Sequence, residues 1–206
     1  MRHASEESPR MFESDFIDFF SRVPWWAVPL IYVPAIAGFA YSASHVGVSA
    51  TAIAGQFAAG VFAWTLMEYW LHRTLFHWTP ATSWGPRFHF LLHGVHHTWH
   101  RDRFRLVMPP AASIAIGVVV YGSLWTLSMV LAPLVTPTWT LALFAGVMAG
   151  YMTYDLTHYY LHHGKPVTWV GRKLRAHHMA HHHNAAHKDR KFGVSNTLWD
   201  HVFGTY

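Results

Sequence analysis

Ten of the 19 histidines in this sequence fall into four spaced groups. His72 and His77 stand in LHRTLFH, and His93, His96 and His97 in HGVHH. His158 and His162 stand in THYYLHH, and His178, His181 and His182 in HHMAHHHNAAH. Imidazole is the commonest protein ligand for metals, and spacing decides what such groups can do. On a helix, His158 and His162 are four apart and share one face. In H-x-x-H-H the outer pair share a face while the adjacent pair diverge by about 100°. One motif can therefore serve two ions. Imidazole-bound metals take about four to six ligands, so ten imidazoles exceed one ion and suit two, at roughly five each.

The stretch 177–187 is interior and interrupted by Met179 and Ala180, unlike a purification tag. H-x-x-H-H fits it in one register only, because starting at His177 puts Ala180 where a histidine is needed. On a helix, His177 and His183 would then point away. His3, His45, His89, His100, His163, His187 and His201 also lie outside the pattern, with His89 only four residues before His93. The chain has no cysteine, which excludes disulfides, thiolate metal sites and cysteine nucleophiles. No Ser-His-Asp arrangement is apparent either.

Elements must carry these groups to one place. The composition is 52% hydrophobic and only 12% charged, with 11 tryptophans. Soluble domains carry about 25% charged residues, so a bilayer is the natural solvent here. Four apolar segments reach the roughly 20 residues that span a membrane: Pro24 to Ala43, Ala50 to Leu71, Val107 to Leu131 and Thr138 to His162. Pro29 and Pro34 predict a kink in the first. Gly146 and Gly150 give the fourth a G-x-x-x-G face for close packing. Ahead of the spans, MFESDFIDFF places Phe12, Phe16, Phe19 and Phe20 on one face, which reads either as an interfacial amphipathic helix or as a short, partly ordered tail. No cleavable signal is apparent.

If all four segments span, residues 1–23, 72–106 and 163–206 share one side and hold all 15 Lys and Arg. The turns SHVGVS (44–49) and APLVTP (132–137) hold none. The positive-inside rule makes the charged side cytoplasmic. The expectation is thus one all-α, multi-pass domain over residues 1–206. It has an N-terminal segment 1–23, a four-helix transmembrane bundle over 24–162 with the loop 72–106, and a helical cytoplasmic cap 163–206. The histidine-rich di-metal site and both termini face the cytoplasm. Glu68 precedes His72 by one turn and Asp155 precedes His158 by three residues. Charge inside a span is expensive, and metal-bound imidazole usually gives its other N–H to a carboxylate or carbonyl. Both are expected to orient histidines in this way.

The order H-x-x-x-x-H, H-x-x-H-H, H-x-x-x-H, H-x-x-H-H resembles the fatty acid hydroxylase/sterol desaturase superfamily. HGVHH followed by RFRLVMPP, then DLTHYYLHH and KFGVSNTLWDHVFGTY, look like its fatty acid 2-hydroxylase branch, over about residues 60–206. The resemblance implies a membrane di-metal oxygenase hydroxylating C2 of a long acyl chain, with the ten histidines at the motif positions. An unactivated C–H bond calls for redox-active metal, hence two iron ions with O₂ as co-substrate, zinc being able to replace iron on purification. No H-P-G-G heme-binding stretch occurs, so a separate electron donor is expected, such as a cytochrome b5-like or ferredoxin-like protein. A sterol or carotenoid oxygenase would need the same metal core. A metal-binding or transport protein fits less well, because ligands are missing through most of every span. Heme needs two axial ligands, not ten. The net charge of +5 is explained by residues flanking spans, without nucleic acid.

Overall fold

The computed structural model describes residues 8–132 and 136–206. His3 and the middle of the 132–137 turn lie outside the described residues. All regular structure among those described is helical. The helices are α1 (Asp15–Phe20), α2 (Ala27–His45), α3 (Ala50–Trp70), α4 (Gly85–His89), α5 (Val95–Thr98), α6 (Pro110–Val130), α7 (Trp139–His163), α8 (Trp169–His183) and α9 (Leu198–Val202). Two π-helical turns, Leu71–Phe76 and Phe90–Gly94, and a 3₁₀ turn, Ala185–His187, complete them.

Three helical stretches among the described residues are long and apolar enough to cross a membrane: Ala27–His45, Ala50–Phe76 and Pro110–Val130. They correspond to three of the four expected spans. The second runs past Leu71 because the π turn prolongs α3. Pro29 falls in the first turn of α2, where a missing N–H costs nothing, so only Pro34 is interior. Helix α7 is unbroken over 25 residues but carries Asp155, His158 and His162 in its last third.

The chain forms two compact units. One comprises Trp26–Trp64 and Met108–Thr153. Its core is aromatic: Phe39 meets Tyr121 and Phe144 edge-on, and Tyr151 meets Tyr32 and Trp64. Glycines let α3 and α7 approach backbone to backbone. A Cβ at Gly146 would sit 2.0 Å from the Phe57 carbonyl oxygen, and one at Gly60 equally close to that of Leu143. The G-x-x-x-G face thus packs closely on a neighbour, with Gly150 against Trp64.

The other unit comprises Met1–Trp25, Thr65–Val107 and Tyr154–Tyr206, and contains all four histidine groups. Helix α1 is capped by Ser14 and exposes Phe16, Phe19 and Phe20 while burying Asp18. Asp18 accepts N–H bonds from Met11 and Phe12 and pairs with Arg105 at 3.1 Å and Arg22 at 2.8 Å. These bonds from Met11, then from Arg105 and Phe12, outweigh burial and hold its carboxyl well below the usual carboxylate range. Thr168 caps α8, accepting from the Gly171 N–H at 3.1 Å. That helix displays His178 and His182, four residues apart, on one face.

Candidate metal centre

The ten motif histidines converge into two groups of five. One holds His72, His77, His93, His97 and His181; the other holds His96, His158, His162, His178 and His182. Within each group the candidate ligand nitrogens all lie within 4.8 Å of one another. Helical spacing explains the division. His93 and His97, four apart, face the first group, and the intervening His96 faces the second. In α8 the roles reverse, with His178 and His182 in the second group and His181 in the first.

The pair His72 and His77 needs a different device. Residues five apart on an α-helix point about 140° away from each other. The π turn at Leu71–Phe76 closes i to i+5 hydrogen bonds, which stacks residues five apart. Both imidazoles can then address one group.

The nitrogens meet at distances that hydrogen bonding does not satisfy. His93 Nε2 lies 3.1 Å from His72 Nε2 and 2.9 Å from His97 Nε2. His77 and His181 meet at 3.2 Å. In the second group, His96 Nε2 is 2.9 Å from both His158 and His182, and His178 Nε2 is 3.1 Å from His182 and 2.9 Å from His162. A ring nitrogen has one in-plane position, holding either a proton or a lone pair. It cannot donate to one neighbour while accepting from another. A shared cation does satisfy such a set, since nitrogens about 2.0–2.1 Å from one ion at right angles lie about 3 Å apart.

Electrostatics point the same way. Burial, and then neighbouring imidazoles, push His93, His96, His178 and His182 well below the ordinary histidine range. The same causes bring His77 to about 3 and His97 to about 2. His181 is lowered by burial as well. These rings are neutral near pH 7, the form that binds metal. Two tautomers are set by backbone: His72 Nδ1 donates to the Phe192 carbonyl at 2.6 Å, and His181 Nδ1 to the Arg190 carbonyl at 2.7 Å. Their Nε2 atoms therefore present lone pairs to the first group.

Both expected carboxylates are buried. Glu68 accepts from the N–H groups of Val194 and Ser195, at 2.7 and 2.8 Å, and from the Ser195 hydroxyl. It holds the loop whose Phe192 carbonyl accepts from His72. Asp155 is buried at 1% exposure. Sequence reasoning missed Asp200, which is fully buried and accepts from His177 Nε2 at 3.1 Å, the N–H groups of Phe192 and Gly193 at 2.9 and 2.8 Å, and Thr205 Oγ1 at 2.8 Å. Burial raises its pKa, but these bonds win and leave it below the ordinary carboxylate range. His177 is thereby turned to Asp200 and belongs to neither group. The only sequence signal for Asp200 was its place in a polar island of an aromatic segment, NTLWDHVFGTY. His89 bonds the Phe76 carbonyl at 3.0 Å, and exposed His183 lies against His100.

Comparison with known proteins finds relatives over most of the chain. The fatty acid hydroxylase family model matches residues 57–205. The chain is 42% identical to dihydroceramide fatty acyl 2-hydroxylase FAH2 of Arabidopsis thaliana, covering 97% of this chain and 80% of that protein. It is 38% identical to ceramide very long chain fatty acid hydroxylase SCS7 of Saccharomyces cerevisiae, covering all of this chain and 51% of the longer relative. A solved structure of full-length scs7p, in which only the hydroxylase domain is visible, superposes with a TM-score of 0.83 at 37% identity, over 93% of this chain and 70% of that one.

Proposed function

This chain belongs to the fatty acid hydroxylase family, and on that premise we propose that it is a membrane di-iron oxygenase that hydroxylates C2 of a long acyl chain carried on a ceramide-type sphingolipid. The observation that carries this reading is the pair of buried, five-imidazole groups with converging Nε2 atoms. His72, His77, His93, His97 and His181 would hold one ion, and His96, His158, His162, His178 and His182 the other. The sterol and carotenoid alternatives find no counterpart among the relatives compared.

When bound, the two irons supply the oxidising power that side chains lack: one atom of O₂ enters the C–H bond and the other leaves as water, with two electrons and two protons supplied. The chain's own part is to hold neutral imidazoles rigidly, to keep their tautomers fixed through Phe192 and Arg190, and to shelter the centre from water. The electrons come from a separate donor. Helix α7 serves as the fourth span, and the uniform placement of Lys and Arg puts the histidine groups on the cytoplasmic side. Zinc would occupy the same nitrogens during purification.

The test is reconstitution of the iron-loaded chain in lipid with reductant, a ceramide carrying a long acyl chain, and isotopically labelled O₂. One labelled oxygen at acyl C2 is the expected product. Unlabelled product, or label at another carbon, overturns the proposal.

A further inference from the structure

The two histidine groups are supported unequally. Residues 188–206 form a strap whose backbone carbonyls and Phe192 ring meet the first group. Its backbone turns at Lys191, the non-glycine residue with a left-handed φ, +61°, among those described. Such a conformation costs free energy and persists only where surroundings impose it. Here the Lys191 N–H is tied to the Thr205 carbonyl at 2.7 Å. The carbonyls on either side of that turn, Arg190 and Phe192, are those that accept from His181 and His72.

Two buried carboxylates hold the strap in place. Asp200 takes the N–H groups of Phe192 and Gly193, and Glu68 takes those of Val194 and Ser195. Four successive backbone donors are thus occupied by two side chains. Thr205 joins Asp200 to Tyr69, whose hydroxyl accepts from Arg73 at 2.8 Å. In the second group, His162 bonds the His100 backbone. His96, His178 and His182 bury Nδ1 atoms that find no hydrogen-bond partner among the described residues.

We propose that Glu68, Asp200 and the left-handed Lys191 are positioning residues for one metal only, so that the ion of the His72 group is held more tightly than the ion of the His96 group. The physical reason is that a metal-bound imidazole whose other nitrogen is hydrogen-bonded is more basic and pre-oriented, an effect typically worth about 10–100-fold in affinity. The inference rests on the two-metal reading above.

The experiment is elemental analysis of the full chain in detergent, equilibrated with iron or zinc in a graded metal buffer. Wild type should hold two ions at saturation and release them in two separate steps as chelator rises. Glu68→Gln, Asp200→Asn and Lys191→Pro should lower the tighter step about 10–100-fold and leave the weaker step in place, whereas Lys191→Gly, which adopts the same φ freely, should behave as wild type. His178→Ala should remove only the weaker step. If wild type never reaches two ions, the two-metal reading fails. If it reaches two but loses them in a single step, or if the three variants shift both steps equally, the inference fails. The wild-type titration decides the matter even where a variant does not fold.

Discussion

His181 and His182 are consecutive residues whose rings stand at 87° to each other, 5.8 Å apart, and they address different centres. His181 Nε2 meets His77, and His182 Nε2 meets His96. Adjacent positions on a helix diverge by about 100°, so one turn of α8 serves both groups.

That arrangement predicts separable losses. His181→Ala and His182→Ala should each abolish hydroxylation and each reduce bound metal, the first from the His72 group and the second from the His96 group. His183→Ala should keep both properties. At equal expression, His178→Ala should be inactive, while His177→Ala, which removes a partner of Asp200, should weaken metal binding by no more than about 10–100-fold. A dead His177→Ala beside an active His178→Ala would mean the ligand register is displaced by one.

Topology is testable on a cysteine-free background. Single cysteines at the exposed positions Ser49 and Thr136 should react with an impermeant thiol reagent on intact cells, and one at exposed Ser83 only after lysis. Ser195 is a poor reporter, because its side chain is engaged by Glu68. Labelling of the Ser83 cysteine from outside would invert the orientation.

The N-terminal segment should depend on pH through Asp18. Its folded pKa is depressed, so its stabilising contribution is present in full above the ordinary carboxylate pKa of about 4 and is lost as pH falls below it. Asp18→Asn should reproduce that loss at neutral pH. Removing one partner of a buried ion pair costs about 3–5 kcal/mol. Hydrogen-exchange protection over residues 9–25, taken relative to the intrinsic amide rate at each pH, should fall in the variant at pH 7 and in wild type near pH 3. Unchanged protection in Asp18→Asn would show that Arg105 is held by its other partners, Asp102, Ser8, Ser21 and the Pro9 carbonyl.

Close packing of α3 on α7 should make Gly146 intolerant of any side chain. Gly146→Ala places its Cβ 2.0 Å from the Phe57 carbonyl oxygen, so backbone must move. We expect a loss of about 1–3 kcal/mol or more, read as a lower Tm in detergent. Gly38, with nothing within 4 Å of its added Cβ, is the control. Gly38→Ala should be neutral or stabilising by up to about 1 kcal/mol. Equal Tm values for the two variants would contradict the packing.

Much of this protein was determined locally and could therefore be read from the chain. Apolar runs of about 20 residues mark spans whatever surrounds them, which is why α2, α3 and α6 lie within a few residues of expectation. The H-x-x-H-H motifs divide between two centres because helical periodicity is intrinsic to the backbone. The tertiary structure decided what depends on partners distant in sequence. Nothing in LHRTLFH announces the π turn that aligns His72 with His77. Glu68 was read against the histidine one turn away, yet its donors are 126 and 127 residues along the chain. The acceptors that orient His72 and His181 are main-chain carbonyls, and every residue has one, so no residue type signals them. Only the fold, by bending residues 188–206 at Lys191 and tying them to Asp200 and Glu68, selects the carbonyls of Arg190 and Phe192.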